Sequence, residues 1–221
     1  NLARCVLELS RENGVDAAHH GRLALECALR TGRPFFGIAW RAHVGGALAM
    51  AGEHEAAEKL VEEGWRESEG NRLESYRSNL LMTRAYSAIR QGLTARAHEC
   101  IREMLRIARE YDSWAYLRTA PSVKDVVLEE ALTAAIEVPF VQMMVRQFEM
   151  RPRRLDIEAW PWPVKVYSLG EFRIEVDGTF SITSASKSMG HSASHPHRSR
   201  WAHPRHMRIK VGGTFSVTCA S

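Results

Sequence analysis

Apolar residues recur at helical spacing almost without a break over the first 150 residues, and the interruptions are short: Asn13-Gly14, Gly32-Arg33-Pro34, Gly52, Gly70-Asn71 and Gly92. A chain written this way folds as helix after helix, because each glycine-marked turn ends one periodic stripe and the next begins within a few residues. Ala97, Ile101, Met104, Leu105, Ala108 and Tyr111 form one stripe, and Val141, Met144, Val145 and Phe148 another. Each stripe must bury against a neighbour, at roughly 1.5 to 3 kcal/mol per large side chain.

Two helix pairs share a pattern. Gly52 precedes Ala57 by five residues, and 40 residues on Gly92 precedes Ala97 by five; Gly45 and Ala85 stand twelve residues before each alanine. Small residues at these offsets let two helices of a hairpin approach closely, while the glycine takes the left-handed conformation that closes the first helix. Outside these positions the two units share little, chiefly Glu63 with Glu103 and Arg66 with Arg106. The pattern predicts a tetratricopeptide-like array with a 40-residue period, in which each hairpin buries its apolar face only against its neighbours and a concave surface is left for binding.

The texture changes near residue 119. Ser122 and Asp125 read as a capping-box pair before Val126, Val127 and Leu128, and Pro139 suits the first turn of a further helix ending near Met150. Trp160-Pro161-Trp162-Pro163 can neither continue a helix nor donate to a ladder, so it reads as a stiff linker. After it the apolar period becomes two: Phe172, Ile174 and Val176 alternate before Asp177-Gly178, and Phe180 and Ile182 after. A three-residue loop of Val176, Asp177 and Gly178, pairing Ile174 with Phe180 and Phe172 with Ile182, would gather the large apolar side chains except Val176 on one face. Residues 173–186 return as 208–221 with ten of fourteen positions identical, and the same choice there sets Ile209 opposite Phe215.

The run EEALTAAIEVPFVQMMVRQFEMRP followed by EAWPWPVKVYSLGEFRIEVDG resembles the junction of bacterial MalT-like transcriptional regulators, carried most specifically by Ile136-Glu137-Val138, Trp160-Pro161-Trp162-Pro163, Leu169-Gly170, Phe172 and Asp177-Gly178. The resemblance implies a long-repeat tetratricopeptide-like array leading into an OmpR/PhoB-type winged-helix domain, with a STAND-type ATPase module upstream. Two features depart from it. The chain has no GxxxxGK[ST] phosphate loop, and after Thr179 it has no helical stripe that could enter a major groove.

These observations predict a mainly α fold in four parts: a helical repeat domain over residues 1–150, a Trp/Pro linker over 151–163, the first antiparallel strands of a truncated winged-helix domain over 164–183, and an aberrant, partly disordered Ser/His/Arg tail over 184–221 carrying the duplicated strand motif. Asn1 and the strand-like end suggest a fragment of a larger product. The tail holds six basic and no acidic residues from 179 on, whereas the first 178 residues hold 24 basic against 26 acidic groups, so the net charge of +4 belongs to the tail. His191, His195, His197, His203 and His206 lack the fixed spacing of a metal site. Of Cys5, Cys27, Cys100 and Cys219, three are expected as reduced core residues. Trp40, Trp65 and Trp114 are expected to pack rather than form a ligand cage. Glu62-Glu63 and Glu129-Glu130 are expected on solvated helix faces. His19, His20, His43, His54 and His98 show no serine or aspartate arranged around a nucleophile.

No catalytic, cofactor-binding, DNA-binding or metal-ligating residue is identified, and no cofactor is expected. The expected role is non-enzymatic: a piece of a bacterial, cytoplasmic transcriptional regulator whose array senses a small effector or binds a protein partner, with DNA engaged only in the intact parent. The alternative is a stand-alone helical-repeat adaptor that binds a protein and never touches DNA.

Overall fold

A computed structural model describes residues 1–71, 73–114, 121–167, 173–176, 180–183, 206–211 and 213–218. These residues are mainly helical, in the order α1 (Leu2–Ser10), α2 (Gly14–Leu29), α3 (Pro34–Met50), α4 (His54–Asn71), α5 (Arg77–Arg90), α6 (Thr94–Glu110), α7 (Pro121–Thr133) and α8 (Val138–Gln147), with one 3-10 turn at Glu74–Tyr76. None of the described helices is long and apolar enough to cross a membrane.

The turns that end α1, α3 and α5 are built alike. Glu12, Gly52 and Gly92 all have positive φ, at 59°, 86° and 73°. In each turn the following N–H reaches back five residues: Asn13 to the Glu8 carbonyl at 2.9 Å, Glu53 to Leu48 at 2.8 Å and Leu93 to Ala88 at 2.9 Å. The left-handed residue thus lets the last carbonyls of the helix find donors before the chain reverses. The three turns lie 40 residues apart, and in the same frame Cys5, Gly45 and Ala85 are buried on the first helices while Ala17, Ala57 and Ala97 are buried on the second. Cys5 and Ala17 extend the spacing one hairpin further toward the N-terminus than the sequence pattern reaches. It stayed hidden because Glu12 occupies the position that glycine marks elsewhere.

Close approach at Gly45 involves a partner the sequence did not single out. A Cβ there would stand 3.6 Å from the Ala57 carbonyl oxygen but only 2.9 Å from Cγ2 of Thr83, on α5. The position is therefore small because the next hairpin presses on it as well as its own second helix. Thr83 Oγ1 donates to the Ala42 carbonyl at 2.8 Å, which satisfies a buried hydroxyl at that crossing.

α7 is buried around most of its circumference. Val123, Val127, Leu128, Ala131 and Leu132 are buried, and so are the polar Ser122, Lys124 and Glu129. It packs on α1, α5 and α6 and reaches α3 at Gly46, where a Cβ would stand 3.2 Å from Val123 Cγ2. α7 thus lies against the first helices of all three hairpins. Ser122 does not cap: α7 begins at Pro121, and the Ser122 hydroxyl instead donates to the Leu9 carbonyl at 2.8 Å, 113 residues away. Pro139 lies in the first turn of α8 as expected.

The Trp/Pro segment lies on this core rather than hanging from it. Ile157 and Trp160 are 3% exposed, Gln142 Nε2 donates to the Ala159 carbonyl at 2.9 Å, and the Trp162 N–H meets the Trp160 carbonyl at 2.8 Å.

Beyond it, β1 (Val164–Tyr167), β2 (Arg173–Val176) and β3 (Phe180–Thr183) pair antiparallel in that order, and β4 (His206–Val211) pairs with β5 (Gly213–Thr218). The β2–β3 register corrects the expected one: Ile174 faces Ile182 and Val176 faces Phe180. Both pairs lie two residues out of the expected register, and residues 177–179 lie outside the described residues. In the second copy Ile209 does face Phe215, and pairing continues to Val211 and Gly213. Phe172 falls outside the described residues, as does the expected partly disordered tail over 184–221 apart from β4 and β5.

Candidate functional site: the grooves between hairpins

Each junction between successive hairpins leaves a groove bounded by the second helix of one hairpin and both helices of the next. The groove at α2, α3 and α4 measures about 390 Å³ and is floored by Leu25, Val44, Leu48 and Ala56, with Arg22, Glu26, Lys59 and Glu63 among its charged rim. The groove at α4, α5 and α6 measures about 340 Å³ and is lined by His54, Glu55, Glu58, Lys59, Arg84, Ser87, Gln91 and Arg96 among others. In the 40-residue frame Arg84 stands where Val44 stands, and Arg96 where Ala56 stands. The same structural positions are thus apolar at one junction and cationic at the next.

The second groove is held by a dense polar set. Glu58 Oε1 receives both Arg84 Nη2, at 2.6 Å, and Arg96 Nη2, at 3.1 Å. Arg84 is half-buried, and its Nε is buried with no hydrogen-bond partner among the described residues. Ser87 Oγ lies 3.0 Å from His54 Nδ1 and accepts from Gln91 Nε2 at 3.1 Å. The serine that the sequence reading did not find beside a histidine is therefore present, brought there by packing across 33 residues. Among the described residues no carboxylate bonds the other ring nitrogen of His54, so the pair lacks the third group that orients a base.

The remaining histidines are dispersed. His98 Nε2 meets Glu130 Oε1 at 2.8 Å across α6 and α7. The His19 and His20 rings contact each other at 5.2 Å between centroids. Burial pushes His43 down to about 4, with its Nδ1 unpartnered among the described residues. No group of three or more metal-ligating side chains occurs among the described residues.

Glu62 is exposed as expected, whereas the other carboxylates of the two pairs depart from a solvated face. Glu63 joins Glu67 around Arg41, while Glu129 is buried, accepts the Arg153 N–H and has its carboxyl pushed up by burial. Cys5 and Cys100 are buried as expected, with burial pushing the Cys5 thiol up to about 11, but Cys27 is exposed. Trp40, Trp65 and Trp114 pack against the core, Trp65 beneath the Arg77 guanidinium at 4.5 Å.

The only sign of the polar groove in the sequence is the replacement of Val44 and Ala56 by Arg84 and Arg96 one period on, and it is readable only once the frame is fixed. Comparison of the chain with models of protein families, with curated proteins and with solved structures finds no match.

Proposed function

We propose that the chain is a non-enzymatic part of a MalT-like bacterial transcriptional regulator acting in the cytoplasm, in which a tetratricopeptide-like array serves as an effector-sensing or protein-binding scaffold. In this reading residues 164–183 are the opening strands of an OmpR/PhoB-type winged-helix head that is incomplete here. The observation that supports it best is the burial of small residues in one 40-residue frame, Cys5, Gly45 and Ala85 on the first helices and Ala17, Ala57 and Ala97 on the second, as stacked hairpins of that length require. The Trp/Pro junction packed on the last helices supports the same order of parts, an array continuing into a β segment.

Base readout needs an element presented to a groove, and the sequence after Thr179 carries no helical stripe that could be one. The isolated chain should therefore select no DNA sequence, and any binding should come from phosphate contacts of the basic tail and fall steeply with salt. Selection from a randomised duplex library tests this: enrichment of one sequence by about 100-fold, equivalent to roughly 2.7 kcal/mol, would sink the reading of an incomplete head.

The second reading, a stand-alone protein-binding adaptor, draws on the core, which among the described residues runs from Cys5 on α1 to Trp160. Sequencing the gene on either side separates the two. A phosphate-loop module before Asn1 or a winged-helix continuation after Gly178 favours the regulator, and neither favours the adaptor.

A further inference from the structure

The period comparison isolates what packing does not demand. At the first junction Val44 and Ala56 fill positions that Arg84 and Arg96 fill at the second, so the fold closes a junction without guanidinium groups at those two positions. Placing two arginines there brings their positive charges together over one carboxylate oxygen, with Arg84 half-buried. Such a cluster is costly to assemble unless an anion sits between the cations, and in the free protein Glu58 is that anion. Lys59 adds a third cation to the lining and has no ion-pair partner among the described residues, while Glu55 and Glu62 line the groove beside Glu58, so that its formal charges balance and the cationic part is local to Arg84 and Arg96. On the floor, His54, Ser87 and Gln91 form a connected hydrogen-bond set able to meet the polar body of a ligand.

We propose that the groove between α4, α5 and α6 binds a small ligand bearing an oxyanion, carboxylate or phosphate, held by Arg84 and Arg96, and that Glu58 occupies the oxyanion's place until the ligand arrives. Guanidinium groups suit this role because their planar donors match both oxyanions and keep their charge at all working pH values. Binding exchanges one carboxylate for another anion at the same two cations, so the arginines are never left unpaired. The site does not depend on the chain being part of a regulator.

The test uses the full chain and two probes, inorganic phosphate and glutarate, titrated calorimetrically at ionic strength held constant with chloride. At least one probe should bind at least tenfold more tightly than chloride. Phosphate alone would identify a phosphate ligand, and glutarate alone a carboxylate one. Glu58→Gln should tighten binding by tenfold or more, because the internal competitor is gone. Arg96→Gln should weaken it by tenfold or more; Arg96 is half-exposed, so this variant reads the site even where Arg84→Gln does not fold. Arg22→Gln, at the rim of the other groove, should bind as the wild type does. The proposal is overturned if neither probe outbinds chloride, or if Arg96→Gln and Glu58→Gln both bind like the wild type.

Discussion

His43 sits on α3 with Nδ1 buried and unpartnered among the described residues, and burial holds it at about 4 against 6.5 for a free histidine. The folded state therefore favours the neutral ring, whereas the unfolded chain takes up a proton once the pH falls below about 6.5. Its contribution is fully present above that pH and is lost between about 6.5 and 4, amounting to roughly 3 kcal/mol over the window. His43→Phe should flatten this part of the profile: the loss of stability between pH 7 and pH 4.5, read from urea midpoints, should shrink relative to the wild type. A different opportunity lies at Ala135, where φ is 53° although the residue carries a Cβ. The left-handed conformation costs an L-residue roughly 1 to 2 kcal/mol, and glycine returns about 0.5 to 1 kcal/mol of that in chain entropy. Ala135→Gly should accordingly stabilise the protein by about 0.5 to 1 kcal/mol, seen as a raised urea midpoint at unchanged slope.

At the scale of helices, the small buried residues define where hairpins close. Ala97 is 1% exposed on α6 and Ala85 is fully buried on α5, so Ala97→Leu should overpack that hairpin by roughly 1 to 3 kcal/mol in thermal melts. Ala17, fully buried at the equivalent position of α2, should respond to leucine in the same way, although Glu12 rather than glycine stands five residues before it. This contrast shows what the sequence could reveal. Helices bounded by Gly52 and Gly92 were readable because glycine is the usual left-handed terminator. The α1 turn is marked by Asn13-Gly14, but its place in the 40-residue frame is not, because the hydrogen bonds to Glu8 and Leu9 hold Glu12 in a conformation its own side chain does not favour. Ser122 looked like a cap because local chemistry at a helix start is all a sequence displays; its real acceptor, the Leu9 carbonyl, is created by tertiary packing. The groove was illegible for the same reason, since Arg84, Arg96 and Glu58 become one site only when two hairpins stack.

Over the whole molecule, α7 changes the kind of stability the stack can have. In an open array each hairpin touches only its neighbours, so an end hairpin can unfold by itself at little cost. Here the chain returns after α6 and lays α7 against α1 and α5 together, with Arg153 adding an ion pair to Glu12 at 2.9 Å. The first hairpin and the last are therefore joined through a helix that neither could bury alone. Leu128 is 1% exposed on that helix, and truncating it removes contacts from several hairpins at once. Leu128→Ala should cost roughly 2 to 5 kcal/mol, the usual range for a buried leucine. The distribution of the loss carries the argument. Native-state hydrogen exchange should show the slowest amides of α1 and those of α5 losing protection by the same amount, because both open with the global transition. Were α1 to open freely in the wild type, or α5 to keep its protection in Leu128→Ala, the hairpins would be acting as independent units and α7 would be only a passenger on the stack.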